Sequence, residues 1–349
     1  MQAILGVIFH FIGGFASGSF YIPYKKVKGW AWESYWIVGG LFSWLIVPLI
    51  AAALTVPGFF NIIHTAESSV TTWTFIMGLL WGIGGLTFGL AMRYLGMSLG
   101  MSVALGFTSA FGSLVPPIYR DIVGIEKGSF TAMLSTTGGR TVLAGVIICL
   151  IGIAICGKAG MGKEKELSQE QKTKSVKEFN LTRGLIVATI SGILSACFNF
   201  GIEAGKPMAA EAVRAGANSL FQNNVIFVVI LWGGLTTNFI WCMILNARNK
   251  TFGDYTNKNT PLLRNIIFSA LAGTTWFLQF FFYGMGESKL GNGASSWILH
   301  MAFIILVSNM WGIILNEWKG VSKKTFATII TGIAVIILSV IVVGYGNSL

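Results

Sequence analysis

Two histidines, His10 and His300, lie well inside apolar stretches of a 349-residue chain. An imidazole there can take up and release a proton near neutral pH as its surroundings change, or it can stay neutral on a hydrogen bond to a nearby carbonyl or hydroxyl. Gln279, between Leu278 and Phe280, can both donate to and accept from a sugar hydroxyl, or serve as a polar clasp between helices. Trp81, Trp276 and Tyr283 present flat faces suited to apolar C–H patches, and equally to packing or lipid. Asn199 and Asn309 are further amides inside apolar stretches, with the same two readings. Of the 13 acidic residues, Glu33, Glu203, Glu287 and Glu317 fall at the ends of apolar stretches and most others sit in polar connectors.

Several chemistries are excluded. There is no H-E-x-x-H, no G-x-x-x-x-G-K-[ST] and no G-x-S-x-G at a strand-to-helix turn, so neither a hydrolytic enzyme nor an ATP-driven pump is indicated. Uphill work would have to draw on an ion gradient. Cys149, Cys156, Cys197 and Cys242 lie in apolar stretches without a C-x-x-C pair, which argues against a disulfide framework or a zinc site. No metal and no cofactor is expected. The net charge of +11 is spread between apolar stretches and forms no patch, so nucleic acid is not an expected partner.

The elements that position these residues follow from hydropathy. With 54% hydrophobic and 11% charged residues and a mean hydropathy of +0.72, most of the surface must face lipid. A bilayer core needs about 20 mostly apolar residues per helix. The sequence offers ten such runs, near residues 3–24, 35–56, 72–92, 97–118, 141–157, 184–203, 220–245, 265–286, 294–315 and 326–344. The first has no basic residue ahead of it and no small-x-small site after it, so it reads as a retained span. The expected fold is therefore all-α, a polytopic membrane protein of ten transmembrane helices.

A charged connector, residues 158–183, divides the runs into halves 1–157 and 184–349. The halves resemble each other. Gly14, Ser17 and Phe20 recur in spacing as Gly192, Ser195 and Phe198. Trp81, Phe88, Gly89, Leu95 and Gly96 recur as Trp276, Tyr283, Gly284, Leu290 and Gly291. Two matches in corresponding runs point to duplication. An odd number of spans per copy inverts the second copy, and in inverted-repeat carriers substrate sits near the midplane between repeats.

Charge sets the expected orientation. Of the 24 Lys and Arg, 18 adjoin connectors that follow odd-numbered runs, so those connectors are cytoplasmic and both termini lie outside. Lys25, Lys26 and Lys28 then mark a cytoplasmic boundary, where Trp30, Trp32, Tyr35 and Trp36 suit the aromatic belt. At about 1.5 Å per residue, His10 and His300 fall roughly 9 to 12 Å below the outer surface, with Gln279 and Trp81 near that depth. Tyr21 and Glu33 are lesser candidates at the boundary.

The stretch FYIPYKKVKGWAWE, from Phe20, resembles a block of the bacterial L-rhamnose/proton symporter family of the drug/metabolite transporter superfamily. The resemblance continues through WGIG at Trp81, MRYLGMS at Met92, GGR at Gly138, KEFNL at Lys177, LQFFFY at Leu278, S-W-x-L-H-M at Ser296 and EW at Glu317. It implies a ten-helix carrier of the bacterial inner membrane that takes up L-rhamnose, or a related deoxy or pentose sugar, with a proton. The partners implied are the sugar, the proton and the lipid bilayer.

Glu203 and the stretch 215–224 depart from the family pattern. On the depth argument, His10, His300 and Glu33 are the candidates for proton coupling. Gln279, Trp81, Trp276, Tyr283, Tyr21, Asn199 and Asn309 are the candidates for sugar binding. Alternative readings are an exporter of amino acids or amphiphilic metabolites, or a membrane sugar sensor that binds without cycling.

Overall fold

A computed structural model describes residues 2–95, 97–166, 180–314 and 318–349, and all its regular elements are helical. Among the described residues the long helices are α1 (Gln2–Ser19), α2 (Trp32–Thr55), α3 (Ser68–Leu95), α4 (Met97–Ile122) and α5 (Thr137–Glu166), then α6 (Leu181–Ala204), α7 (Asn224–Asn249), α8 (Leu262–Leu290), α9 (Gly293–Ile314) and α10 (Lys323–Gly346). Among the described residues, nine helices are long and apolar enough to cross a membrane. α4, the remaining expected span, is as long but is not among those nine. The chain is thus an all-helical, multi-pass membrane protein.

Helix ends differ from the hydropathy runs where local chemistry intervenes. α7 begins at Asn224, four residues later than expected, because Asn218 Oδ1 accepts from Leu220 N and winds residues 219–221 into a separate 3-10 turn. α5 continues past its apolar run to Glu166, whose carboxylate accepts from Ser322 Oγ at 2.7 Å and Thr325 Oγ1 at 2.6 Å. These hydrogen bonds hold the Glu166 carboxyl below its ordinary range and tie the end of α5 to the start of α10. The middle of the charged connector, Glu317 and the side chain of Arg93 lie outside the described residues.

Packing follows a regular scheme. α1 lies on α8 and α9 as α6 lies on α3 and α4; α2 lies on α8 as α7 lies on α3; and α2 meets α7, α4 meets α9 and α5 meets α10. Two glycines make the closest approaches possible. A β-carbon on Gly78 of α3 would run into the Ile230 backbone of α7, and one on Gly273 of α8 into the Gly39 backbone of α2. Helices meet this closely in lipid only where a side chain is missing. Gly273→Leu is therefore expected to cost about 1–3 kcal/mol or more by overpacking. The check is the melting temperature in detergent, with Gly253→Ala, where a β-carbon meets open space, as the silent control.

α2 is not a regular helix. Residues Phe42–Ile46 form a π-turn in which Val47 N donates to Phe42 O, one residue further back than in an α-helix. Pro48 follows immediately and has no N–H to extend the regular ladder. The wide turn carries Trp44 inward, where it is almost completely buried.

Candidate functional site

The centre of the bundle is built from rings contributed by α1, α2, α3, α6, α8 and α9. His10 and His300 are completely buried, and their ring centroids are 6.2 Å apart. Tyr283 of α8 sets its ring edge-on to both, 5.3 Å from each. Two glycines admit the imidazoles. A β-carbon on Gly286 would sit 2.7 Å from His10 Nε2, and one on Gly13 would sit 3.5 Å from His300 Cε1 and 2.8 Å from the Gln279 carbonyl oxygen.

None of the four imidazole nitrogens has a hydrogen-bond partner among the described residues. The reading of each histidine as neutral and held by a backbone or hydroxyl group therefore finds no such bond here. A buried polar atom without a partner costs about 1–3 kcal/mol, so two imidazoles kept this way are poor structural choices. Ser296, one turn before His300 on α9, is also buried with an unpartnered hydroxyl, as are Ser295 and, on α4, Ser109 and Ser113.

The aromatic array continues from the imidazoles. Phe280 lies 6.1 Å from His300, stacks on Phe198 at 3.8 Å and meets Trp276 at 5.2 Å. Trp276 and Trp81 face each other at 5.5 Å, and Trp44 sets its edge against both, at 6.0 and 6.3 Å. Trp81 and Trp276 are partly buried and pack against the core. Asn199 belongs to this centre: its Oδ1 accepts from Tyr283 Oη at 3.2 Å while its Nδ2 donates to Gly112 O at 2.8 Å. Gln279 is buried at the same level, but its Nε2 donates at 3.0 Å to the Trp276 carbonyl of its own helix.

Three of the sequence candidates lie elsewhere. Glu33 stands at the start of α2, and its Oε1 accepts from Asn249 Nδ2 at 3.0 Å and Thr251 Oγ1 at 2.8 Å. That is the end of the bundle where α7 finishes and α8 begins, so Glu33 is not brought to the histidines. Asp254 completes this clasp by accepting from Ala31 N and Ser34 Oγ, each at 2.8 Å. Tyr21 packs against Trp36 and Tyr24 and is about half exposed. It lies eleven residues beyond His10, about 16 Å along a helix. Asn309 lies nine residues beyond His300, and its Nδ2 donates to Ile305 O within α9.

The opposite end carries an ionic cluster that local sequence spacing misassigns. Glu203 and Lys206, three residues apart, read as a local ion pair. The structure gives Glu203 to Arg120 of α4 and Lys206 to Glu287 of α8, whose other oxygen accepts from Asn223 Nδ2. The reason is geometric: α6 stops at Ala204 and a separate helix, Lys206–Arg214, starts beside Pro207, so the two side chains do not share a helix face. Arg120, Asn223 and Trp44 are among the members of the centre and its borders that the sequence reading omits, as are Phe280 and Asp254. A polar residue at the end of an apolar run was the available signal for Arg120. The Pro48 after two glycines was the signal for Trp44.

Bilayer-length helices around a buried centre of imidazoles and indoles, bridged by polar contacts at each end, define a multi-pass membrane carrier. The chain belongs to the L-rhamnose-proton symport protein family, whose model matches residues 1–348. It is similar to the L-rhamnose-proton symporters of Yersinia pestis (strain Pestoides F) and Yersinia pseudotuberculosis (serotype O:1b, strain IP 31758). Each is 41% identical over 348 residues, 98% of this chain and 98% of the relative. The L-rhamnose-proton symporter of Yersinia pestis bv. Antiqua (strain Antiqua) is 40% identical over the same span. The family is one of transporters, not enzymes.

Proposed function

We propose that this protein takes up L-rhamnose together with a proton across a bacterial inner membrane. The observation that carries the reading is the buried, unpartnered pair His10 and His300 in a chain that matches the symporter family over nearly its entire length. Either imidazole can hold the proton, and Tyr283 and Asn199 orient that level of the cavity. Trp81 and Trp276 receive the apolar face of the sugar, and Gln279 supplies an amide to its hydroxyls.

The architecture we infer is ten spans in two halves of opposite orientation, 1–157 and 184–349, joined by the cytoplasmic segment 158–183, with both termini periplasmic. Its support is the exchange symmetry of the main packing contacts, in which α1 on α8 and α9 and α2 on α8 have counterparts in α6 on α3 and α4 and α7 on α3. Gly78 and Gly273 occupy corresponding places in that scheme, as do Trp81 and Trp276. In this orientation the ionic cluster of Arg120, Glu203, Lys206 and Glu287 lies at the outer mouth. The Glu33 and Asp254 clasp lies at the cytoplasmic mouth. Alternating access is then the opening of one while the other holds.

Purified protein screened for thermal stabilisation against deoxyhexoses and pentoses tests the substrate. A ligand present at about 100 times its Kd stabilises the folded form by about 2.7 kcal/mol, so L-rhamnose is expected to raise the melting temperature by several degrees while an amino acid set does not. Uptake by proteoliposomes is expected to alkalinise the medium. Stabilisation by amino acids and none by sugars would reverse the assignment.

A further inference from the structure

We infer that Glu287 is the group through which protons pass between the outer mouth and the histidine pair, so that proton entry and opening of the ionic cluster are one event. The inference rests on the proton-coupled reading above. Among the described residues, Glu33 and Glu287 are the only acids that are buried, each 4% exposed. Glu33 belongs to the other end of the bundle. Glu287 stands one helical turn beyond Tyr283, the ring that touches both imidazoles, and next to Gly286, against which His10 Nε2 packs. On its inner side it therefore borders the histidines.

On its outer side the carboxylate meets Lys206 through Oε1 and Asn223 through Oε2. The Lys206 side chain is 32% exposed, so the path from Glu287 to water leads past it. Every charged group facing Glu287 has a place in this arrangement. Lys206 comes from the short helix after α6, Glu203 from α6, and Arg120 from α4, where it pairs with Glu203. Tyr283 lies one turn earlier on α8 itself, and its ring meets His10 of α1 and His300 of α9. Glu203 and Glu287 also converge on the start of α9, their Oε1 atoms 2.8 and 3.8 Å from where a β-carbon on Gly293 would stand. Removing the Glu287 charge thus loosens its contacts with the 206–214 helix and with Asn223 at the start of α7.

A buried ion pair is weak evidence for stability, because a well-packed apolar pair of like volume does as well. A buried ionisable group beside a solvent-reached cation at the end of a membrane span is better accounted for by traffic of charge. In the step proposed, a proton from water forms an O–H bond on Glu287 and frees Lys206, which parts the cluster. The carboxylic acid then gives that proton to an imidazole nitrogen: the O–H bond breaks, an N–H bond forms, and the regenerated carboxylate recaptures Lys206. One proton moves inward, and the mouth recloses behind it.

The test uses the full-length protein in proteoliposomes and compares sugar counterflow, which needs no net proton movement, with accumulation driven by a pH gradient. Glu287→Gln is expected to lower accumulation at least tenfold, to lower counterflow by a clearly smaller factor, and to flatten the dependence of uptake on external pH. Glu287→Asp is expected to restore most of the accumulation. The double variant E287Q/K206Q, which leaves no buried charge unpaired, is expected to show the same selective loss, so a folding defect in the single variant does not decide the matter. Wild-type accumulation with an unchanged pH profile in E287Q overturns the inference. Equal loss of both activities without rescue by aspartate overturns it too, since that marks a purely structural role. A wild-type protein that shows no proton-linked sugar uptake at all overturns the symport reading instead.

Discussion

Alanine at whichever of His300 and His10 carries the proton is expected to abolish sugar accumulation while leaving sugar exchange across the membrane. With one proton moved per sugar, an inward gradient of about one pH unit sustains about a tenfold accumulation, because about 1.4 kcal/mol corresponds to a tenfold ratio. Loss of the coupling group removes that factor and leaves passive equilibration. The two imidazoles are 6.2 Å apart and both touch Tyr283, so they act in one space and cannot both be charged without strong mutual repulsion. One proton at a time is therefore the expected load, and a stoichiometry of one per sugar follows. The measurement is radiolabelled L-rhamnose uptake at imposed pH gradients beside counterflow at equal pH. Normal accumulation in both single variants would remove the histidines from the mechanism. His300→Gln is the informative conservative change: it keeps volume and hydrogen-bonding capacity but cannot bind a proton, so it separates coupling from packing.

The sequence made the level of this centre visible because helix rise is constant. Counting residues from run ends set His10, His300, Trp81 and Gln279 at one depth, and the fold supplies the rotation that such counting leaves open. It turns Gln279 back onto its own helix, through the bond to the Trp276 carbonyl, and joins Asn199 to Tyr283. The border charges were less legible for a different reason. Spacing of three between Glu203 and Lys206 implies a shared helix face only if the helix continues, and here it stops between them. Pairing Arg120 with Glu203, 83 residues away, depends on how α4 meets α6, which no local pattern carries. Trp44 was hidden likewise, since regular periodicity does not foresee the π-turn that aims it at Trp81 and Trp276. Glu33 sits at a span end as read, but a span end says nothing about which other ends it meets.

Trp276→Ala, and Trp81→Ala with it, is expected to raise the KM for sugar steeply while the proton-linked step itself survives. The two indoles lie 5.5 Å apart with planes inclined by 35°, and both residues are less buried than the phenylalanines beside them. A sugar presents an apolar face of C–H groups, and a ring that covers it contributes about 1 kcal/mol beyond the area it buries, about fivefold in affinity per ring. The double variant is expected to lose about 25-fold if the rings act independently, and less if they hold the same face. Trp276 also braces Trp44 at 6.0 Å and Phe280 at 5.2 Å, and Phe280 in turn backs His300. Deleting it therefore frees the π-turn side chain as well as the sugar platform. Trp276→Phe separates the two: it keeps a flat face toward Phe280 and is expected to recover most of the affinity. Binding that is lost equally at transport onset and at equilibrium raises KM with the maximal rate nearly unchanged. Initial uptake rates across a range of L-rhamnose concentrations read that split. A lowered maximal rate with unchanged KM would place these rings in the motion of the halves and not in the hold on the sugar.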